Sequence, residues 1–413
     1  MSLQMVLRHE TGGFTGKFQV RRTAWLAQGG DFRHGEPGKA GAAGFQKCFF
    51  CSKVGRGGFR LLLARMGDNE LLLRRGIHML QKCRAGNALF NPAHITQICA
   101  NAVNHSRPSF SSAFGQAVCE LAAEDGRICA VTAAMRDGTG LGSFEAQFPE
   151  RFFDVGIAEG HAVAMAAGMA KQGSLPIFAV YSSFLQRGYD MLLHDVAILG
   201  LHVVFGVDRA GLVGEDGETH HGLFDVAYLS SVPGMTLFAP ASFAEVRSML
   251  RHAVRKVSGP VALRYPRGGE SGYRGDAGVE PTVCLKVGKA ITLVTYGITT
   301  GSVLEAGAML EAAGYVPEII KLNRLMPLDD EEILASVKKT ERVLIAEECA
   351  AMGGMGQQIA AHMAAQGVVP KAMALCNTGS GFITHGTTAE LRRLCGLDAE
   401  SLYQAAVEVL KRE

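Results

Sequence analysis

Glu159 is the residue of this sequence whose type and surroundings point most directly to chemistry. It follows the mostly apolar run 152–158 and opens an Ala- and Met-rich segment that ends at Lys171. A carboxyl group among apolar residues can have a raised pKa and exchange a proton near neutral pH. A carboxylate at the start of a helix can also serve only the helix dipole, which is worth about 0.3–1 kcal/mol. The position of Glu159 alone favours this simpler interpretation. Whether Glu159 has a catalytic role therefore depends on the other polar residues expected near it.

Polar segments with charged side chains follow several other apolar runs. Arg209 and Arg267 stand out because a guanidinium group binds phosphate oxygens through two parallel hydrogen bonds. An ion pair within a loop is the alternative for Arg209. The loop 214–222, rich in His, Asp and Glu, could also suggest a metal site, and His221 in it is expected to be an exposed neighbour of His220. The segments are Tyr181-Ser182-Ser183-Phe184-Leu185-Gln186-Arg187, Asp208-Arg209-Ala210-Gly211, the loop with Asp216 and His220, and Arg264-Tyr265-Pro266-Arg267-Gly268.

The elements that carry these residues follow two alternating patterns. Short β-rich apolar runs predict strands, and the stretches between them, such as 161–171 and 242–256, predict helices. This alternation favours βαβ units with a parallel sheet covered on both faces, where ligands gather at the carboxyl ends of the strands. The predicted strands are 127–134, 152–158, 176–181, 202–208, 236–240 and 260–266.

A second βα series follows a polar, Gly-rich stretch. The sequence therefore predicts an α/β fold with two parallel-sheet βα domains, at 106–270 and 284–413, joined by a linker at 271–283. The strands of the second series are predicted at 291–296, 316–322, 342–347 and 372–376, and its helices near 300–313, 330–340, 355–366 and 398–412.

From about Ser106 to its end, some three quarters of its length, the chain resembles the 1-deoxy-D-xylulose-5-phosphate synthase family, thiamine-diphosphate transferases of the transketolase superfamily. The combination of motifs is specific, although any one of them alone is not. The matching motifs are Ala133-Ala134-Met135 with Gly138-Thr139-Gly140-Leu141, Gly156-Ile157-Ala158-Glu159, Tyr181 to Arg187, Asp208 to Gly211, and Arg264 to Gly268.

The resemblance assigns roles to the candidate residues. Glu159 matches the residue that shares a proton with the pyrimidine of thiamine diphosphate, and Phe184 the residue that stacks on that ring. Met135, within a matching motif, is expected to bind the cofactor as well, and His220, which matches a residue beside the cofactor and substrate, is expected to be catalytic together with Glu159. The implied reaction joins pyruvate to glyceraldehyde 3-phosphate with loss of CO2, for isoprenoid precursor and thiamine biosynthesis. The expected substrate-binding residues are Tyr181, Arg187, Arg209, Asp216 and Arg267.

The second domain resembles the transketolase C-terminal domain, which supports dimerisation. It contains Glu347-Glu348, a Gly-rich turn at 353–356 and the segment Phe382-Ile383-Thr384-His385-Gly386. The N-terminus of a helix can bind an anion. The turn is expected here to permit close packing instead.

The family's diphosphate-binding domain, with Gly-Asp-Gly and a later Asn that hold Mg2+, is not recognised in this sequence. Gly67-Asp68-Asn69 is only a superficial echo of it. The chain is therefore expected to carry the pyrimidine half of a site, to lack metal ligands of its own, and to act as a homodimer or with a chain that supplies the other half and its Mg2+. Alternatives are a split transketolase subunit, a 2-oxo-acid dehydrogenase beta subunit, and a non-catalytic remnant or interaction protein.

Residues 1–105 have a different composition from the rest. They carry 15 Lys and Arg against 5 Asp and Glu, a net charge of +10, whereas the remainder has 26 against 34, a net of −8. A transit-type extension, a nucleic-acid arm and a stretch read from a displaced frame are the alternatives, and the third is favoured. This irregular basic segment is thus not expected to be a native domain. Its Cys48 and Cys51 form a CxxC without a matching second ligand pair, so a zinc site is not expected.

The whole chain has 413 residues, 48% hydrophobic and 19% charged, with a net charge of +2. This composition excludes a disordered, collagen-like or coiled-coil protein, and no apolar run of about 18 residues predicts a membrane span. Several of the ten cysteines lie inside apolar runs, as in reduced cores, so a cytoplasmic protein with no nucleic-acid or membrane partner is expected.

Overall fold

The computed structural model describes residues 108–412 and the backbone of four short strands before them. The four strands pair antiparallel in the order β2-β1-β4-β3. They belong to a unit of their own, separate from the unit that begins at Pro108. That residues 1–105 are not a native domain stays a prediction, and Cys48 lies outside the described residues. The strands are β1 (Ser2–Val6), β2 (Val20–Thr23), β3 (Phe49–Val54) and β4 (Gly58–Leu63).

A seven-stranded sheet forms the centre of the first α/β domain. Its order is β14-β9-β10-β8-β7-β5-β6, and every pair is parallel except that of β14 with β9. The central strands are buried along their whole length, as parallel strands covered on both faces should be. The strands are β5 (Ile128–Thr132), β6 (Phe152–Asp154), β7 (Leu175–Tyr181), β8 (Val204–Asp208), β9 (Thr236–Phe238) and β10 (Val261–Tyr265), with β14 (Arg324–Met326) arriving from the second domain.

The helices of the first domain begin where the sequence supplies caps or small residues. The Ser109 side chain accepts the backbone N–H of Ser112 at the start of α1, and Ser242 caps α7 by accepting the N–H of Glu245. The helices are α1 (Phe110–Glu124), α2 (Gly142–Gln147), α3 (Glu159–Lys171), α4 (Ser182–Leu185), α5 (Tyr189–Met191), a π-helical stretch at Leu192–Ala197, α6 (Asp225–Ser230) and α7 (Phe243–Lys256), with short 3-10 turns at Pro149–Arg151 and Gln186–Gly188.

The second domain is built on a five-stranded sheet in the order β11-β13-β12-β15-β16. Only β11, at one edge, runs antiparallel to its neighbour. The strands are β11 (Thr282–Lys286), β12 (Thr292–Tyr296), β13 (Glu318–Leu322), β15 (Arg342–Ala346) and β16 (Ala372–Cys376). The helices are α8 (Thr300–Ala312), which follows a 3-10 turn at Gly297–Thr299, α9 (Glu331–Thr340), α10 (Met355–Ala365), α11 (Thr388–Leu394) and α12 (Ala399–Lys411).

The two sheets share one hydrophobic core. A single buried cluster runs from Phe178 and Phe205 of the first sheet to Val294 and Ile345 of the second. The far face of the first sheet packs under α1 and α7, and the far face of the second under α8 and α12. Because β14 also joins the first sheet, the two domains are held together by backbone pairing as well as by packing.

The predicted fold of two α/β domains is confirmed, with two additions. Each sheet carries one antiparallel edge strand, β11 or β14, which the sequence analysis did not separate from its surroundings. The predicted strand at 152–158 is shorter, since only Phe152–Asp154 is extended and Gly156 has a positive φ of 70°. None of the helices in the part of the chain that the structure describes is long and apolar enough to cross a membrane.

Candidate functional site

Three polar side chains lie side by side at the carboxyl edge of the first sheet. In the parallel register, Asp208 at the end of β8 pairs with Tyr181 of β7 on one side and with Tyr265 of β10 on the other. Each is the last residue of its strand, where the loops of an open α/β sheet form ligand crevices. The predicted polar segments that follow these strands therefore converge on one place.

Glu159 is the first residue of α3, and its side chain is only 2% exposed. A buried carboxylate needs a partner. Here Arg187 donates from Nη1 to Glu159 Oε1 at 2.5 Å, while its own side chain remains 55% exposed. The same guanidinium lies 4.8 Å from the centre of the Phe184 ring. The structure thus brings Glu159, Phe184 and Arg187 together and places Arg187 against the glutamate.

Arg209 is held in an unusual conformation. Its φ is +62°, the left-handed region that a side chain with a Cβ rarely adopts. The guanidinium lies over the Tyr181 ring, 3.6 Å from its centre, and Nη1 donates to the Gly138 carbonyl at 3.1 Å. Gly138 must be glycine, because a Cβ there would lie 1.7 Å from the Tyr181 hydroxyl. The neighbouring backbone thus fixes both the ring and the cation above it.

The loop 214–222 carries Asp216, the partner of Arg267. Asp216 accepts a hydrogen bond from Arg267 Nη1 at 2.8 Å, and the same nitrogen donates to the Val213 carbonyl at 3.1 Å. His220 packs edge-on against Phe184 with ring centres 5.1 Å apart, and burial lowers its pKa. The imidazole is consequently neutral near pH 7 and next to the aromatic ring that borders Glu159.

The expectation that His221 is exposed is wrong. Its side chain is buried, with Nδ1 accepting the Val213 N–H at 3.0 Å. Nε2 must then carry the proton, and it donates to the Thr384 carbonyl of the second domain at 3.2 Å. Gly214 and Gly217 also lie against this segment, at Gly386 and His385. The second domain therefore supports the loop that bears Asp216 and His220.

Met135 contacts the backbone of the Tyr181 segment. Its buried sulfur accepts the backbone N–H of Tyr181 at 3.4 Å. The preceding residue, Ala134, has a positive φ of 60°, and its N–H donates to Asp154 at 2.7 Å. The Ala133-Ala134-Met135 motif is thus a tight turn that fixes the start of the Tyr181 segment.

Burial changes the acidity of several groups in this cluster. It raises the pKa of Asp208 to about 6, although the neighbouring Arg209 and Ser111 act in the opposite direction. It also raises the pKa of the Tyr181 hydroxyl and that of Tyr265. The hydroxyl oxygens of Ser182, Ser183 and Tyr265, Asp208 Oδ2 and Arg209 Nε are buried without a hydrogen-bond partner within residues 108–412. Unpaired buried polar atoms on this scale are unusual away from a site.

The Gly-rich turn of the second domain serves packing, as the sequence analysis expected. Glu347 occupies the N-terminus of α10, where it accepts the N–H groups of Met355 at 2.8 Å and Gly356 at 2.9 Å. The Tyr296 hydroxyl donates to the same carboxylate at 2.7 Å. The chain's own glutamate thus takes the place that an external anion would occupy.

Two buried carboxylates here were named in sequence motifs but not predicted as site residues. Glu348 accepts the Leu212 N–H at 3.1 Å and pairs with Arg392, which ties the second domain to the residues just before the loop 214–222. Asp208 was quoted only as part of a motif, yet it is fully buried beside Arg209. A charged residue closing an apolar strand was the available signal for Asp208. No pattern in the sequence indicated the pairing of Glu348 with Arg392.

The described residues contain no group of three or more His, Cys, Asp or Glu side chains that could hold a metal ion. In the loop 214–222, Asp216 is engaged by Arg267. The cluster offers an acid, an aromatic face and two guanidinium groups, which suit a planar heterocycle and an anion.

Comparison with known proteins gives two family matches. Residues 106–269 match the model of the transketolase pyrimidine-binding domain, and residues 282–402 match that of the transketolase C-terminal domain. The first range contains every strand of the first sheet except β14, and the second contains β14 and all the strands of the second sheet.

Two curated relatives are both named 1-deoxy-D-xylulose-5-phosphate synthase. The 1-deoxy-D-xylulose-5-phosphate synthase of Chlorobaculum tepidum is 45% identical over 313 residues, which is 74% of this chain and 49% of that protein. The synthase of Thermomicrobium roseum is also 45% identical, over 71% of this chain and 48% of its own length. The chain spans about half the length of the curated relatives it matches.

Solved structures show the same fold. A split-gene transketolase, described as an inactive beta4 tetramer, superposes with a TM-score of 0.66 at 29% identity, covering 74% of this chain and 99% of that one. A Pichia stipitis transketolase superposes with a TM-score of 0.60 at 15% identity over 74% of this chain and 46% of its own.

Proposed function

The chain belongs to the transketolase family, of which it carries the pyrimidine-binding and C-terminal domains, and from this premise we propose that it forms half of a 1-deoxy-D-xylulose-5-phosphate synthase site. The reaction would join pyruvate to glyceraldehyde 3-phosphate with release of CO2. The single observation that carries the proposal is the convergence of Glu159, Phe184, Arg209 and Arg267 at one sheet edge. The names of the relatives support the choice of substrates.

The residues present fit the pyrimidine of thiamine diphosphate. Glu159 is a buried carboxylate at the start of α3, and its partner Arg187 lies over the ring of Phe184. The buried hydroxyls of Ser182 and Ser183 have no hydrogen-bond partner within residues 108–412. When bound, the cofactor supplies a carbanion that adds to the pyruvate carbonyl and holds the electrons released with CO2. Glu159 would hold and exchange the proton at the ring nitrogen of the pyrimidine, and Phe184 would orient that ring.

Arg187 controls the access to Glu159 in this proposal. Its ion pair uses Glu159 Oε1, and more than half of its own side chain faces solvent. Because Glu159 is buried, its charge must keep a partner, so Arg187 can move away only as the pyrimidine takes over the contact with the carboxylate. Arg187 would thus cover the carboxylate before the pyrimidine binds and turn toward the substrate afterwards.

The phosphorylated substrate would bind at the two remaining arginines. Arg209 over Tyr181 and Arg267 beside Asp216 present cations at the rim of the same cluster. Their planar guanidinium groups match phosphate oxygens, which a lysine would contact only as a point charge. The neutral imidazole of His220, held against Phe184, can then accept or donate a proton at the reacting carbonyl.

The diphosphate and Mg2+ would be held by residues outside 108–412, on another copy or a second chain. The rim beside Glu159 is suited to such a contact, since Phe153 is 36% and Ile157 76% exposed there. Apolar side chains at the border of a half-formed site indicate a surface that a partner covers. We propose a complex of this chain with a chain that contains the diphosphate-binding domain, formed across this rim.

A split transketolase subunit is the second candidate function. The specific observation that favours it is the superposition on a split-gene transketolase over 99% of that chain. The two candidates differ in their products, because a transketolase transfers a two-carbon unit between sugars without releasing CO2. A 2-oxo-acid dehydrogenase beta subunit would use the same fold, whereas the relatives described above are named as synthases and transketolases. A non-catalytic remnant would bind neither cofactor nor substrate.

The test combines the full chain with the purified N-terminal half of the Chlorobaculum tepidum synthase, thiamine diphosphate and Mg2+. Release of CO2 from pyruvate that depends on glyceraldehyde 3-phosphate supports the synthase. Transfer of a two-carbon unit from a ketose phosphate without CO2 would favour the transketolase. The matched control replaces Glu159 by Gln in the same mixture. Turnover by the full chain alone would overturn the need for a partner, and no turnover with a folded, co-purifying complex would favour the remnant.

A further inference from the structure

The ion pair between Asp208 and Arg209 is only half made. Asp208 Oδ1 lies 3.4 Å from Arg209 Nη1, which is long for a charge-assisted hydrogen bond. Asp208 Oδ2 and Arg209 Nε are both buried and have no hydrogen-bond partner of normal geometry within residues 108–412, and the nearby Ser111 hydroxyl only partly offsets the effect of burial on the pKa of Asp208. The Asp208 side chain is fully buried and that of Arg209 only 12% exposed, so solvent does not complete the pair.

The same domain contains a buried pair that is complete. Arg264 binds Asp225 through Nε at 2.9 Å and Nη2 at 3.2 Å, so both carboxylate oxygens are used. A buried ion pair with unused donors and acceptors costs more free energy than it returns. The chain can therefore build a closed Asp–Arg pair in this core, and at Asp208 it does not.

The position of the Arg209 guanidinium is fixed without help from Asp208. The left-handed φ of Arg209, the Gly138 carbonyl and the Tyr181 ring already restrain it. Gly222 adds to this restraint, because a Cβ there would lie 2.3 Å from the Arg209 carbonyl oxygen. Asp208 is consequently available to adjust the charge of the guanidinium rather than its place.

We propose that Asp208 and a bound dianion compete for the guanidinium of Arg209, so that Asp208, acting through Arg209, sets the affinity of this site for phosphate. This proposal deepens the proposed function and depends on it only for the phosphate group. When Asp208 is ionised, it neutralises Arg209 and repels the ligand across a few ångströms of low-dielectric interior. When Asp208 takes up a proton, the whole charge of Arg209 is available to the ligand.

Anion binding is then coupled to protonation. Because burial already raises the pKa of Asp208 to about 6, a dianion at Arg209 raises it further, and binding near neutral pH takes up a proton at Asp208. The other titratable groups that face this pair are Tyr181 on β7, Tyr265 on β10, Arg267 beyond β10, and Asp216 and His220 on the loop. Among them His220, whose pKa burial lowers, is the second group that could take up a proton.

The experiment measures sulfate binding to the full chain by calorimetry between pH 5 and pH 8. Sulfate remains a dianion throughout this range, so any proton uptake belongs to the protein. For the wild type we expect the dissociation constant to fall about tenfold from pH 8 to pH 5, as one charge removed at this distance implies. Repeating the titration in buffers of different ionisation enthalpy should show, from the change in the observed binding enthalpy, an uptake of up to one proton. This measurement needs no variant.

Asp208→Asn should remove most of this pH dependence and bind sulfate at pH 8 about as tightly as the wild type does at pH 5. It should also raise Tm at pH 8, because the folded protein no longer holds a buried charge there. Since the pKa of Asp208 is higher in the folded chain than its ordinary 3.8, this gain should shrink as the pH falls through 6 toward 4. If the role of Asp208 were purely structural, Asp208→Asn would lower Tm instead.

Controls separate the possible failures. Asp225→Asn breaks the complete pair and should lower Tm without changing the pH profile of sulfate binding. His220→Gln removes the second group that could take up a proton, and the proton uptake due to Asp208 should remain. Arg209→Ala should abolish binding. An unchanged pH profile in Asp208→Asn overturns the inference while leaving the phosphate site intact. If the folded wild type binds neither sulfate nor glycerol phosphate at millimolar concentration, both this inference and the phosphate site of the proposed function are refuted.

Discussion

The carboxyl edges of the two sheets hold buried carboxylates in opposite states. At the edge of the second sheet, Glu347 accepts three hydrogen bonds from Tyr296, Met355 and Gly356. At the edge of the first, Asp208 has one oxygen without a partner among residues 108–412, and Glu159 is bound through Oε1 by a half-exposed arginine. The same fold position thus carries a closed polar network in one domain and an open one in the other.

The difference indicates which edge is used for chemistry. A saturated carboxylate stabilises the chain and has nothing left to offer a ligand. Unpaired polar atoms and a left-handed arginine cost stability, so they persist where a ligand completes them. We therefore propose that the edge of the first sheet is the site, and the second domain contacts it through Thr384 and Glu348.

The largest expected effect is that of Glu159→Gln on turnover. The amide cannot exchange a proton with the pyrimidine, so the reconstituted complex should lose activity at least about 100-fold. The far-ultraviolet circular dichroism and the Tm of the full chain should change little. Retained turnover would refute the proton-exchange role of Glu159.

The matched change at the closed edge is Glu347→Gln. The amide turns a donor toward the Met355 and Gly356 N–H groups, so we expect a loss of about 1–3 kcal/mol in the free energy of unfolding. Urea denaturation measures it. The turnover per folded molecule should stay near that of the wild type. If Glu347→Gln instead abolished turnover without loss of stability, the contrast between the two edges would be wrong.

A smaller and more selective effect is expected for Arg267→Ala. The KM for glyceraldehyde 3-phosphate should rise about tenfold, or about 1.4 kcal/mol, and the KM for pyruvate much less. Steady-state kinetics with each substrate varied in turn measure both. Arg136→Ala, which removes an exposed cation paired with Asp137 and Glu145, is the control. Equal rises for both substrates would contradict a phosphate contact.

The smallest expected effect concerns the link between the domains. His221→Leu removes the hydrogen bonds to Val213 and Thr384, so the loop 214–222 should become several times more sensitive to limited proteolysis, with a stability loss of about 1 kcal/mol. His221→Gln keeps a donor and an acceptor and should restore most of the protection. Equal protection in both variants would mean that the histidine does not hold the loop.

The sequence predicted the elements of both domains closely, since the buried parallel strands are continuous apolar runs. Strand β16 has the predicted bounds, Ala372–Cys376. Strand β14 was missed because three residues between two longer elements carry no period, and its pairing with β9 depends on a residue 86 positions away, Phe238 with Arg324. The exposure of His221 was mispredicted because its partner Thr384 is also distant in sequence.

The sequence by itself determined the two-domain α/β fold and which residue types stand at the carboxyl ends of the strands. Those follow from local apolar periodicity and from motifs that are contiguous in the chain. Only the tertiary structure decided which charges meet: Arg187 on Glu159, Arg209 in a half-made pair with Asp208, and Arg392 on Glu348. Pairing of buried charges depends on distances between strands and loops far apart in sequence, and on how completely burial removes water from them.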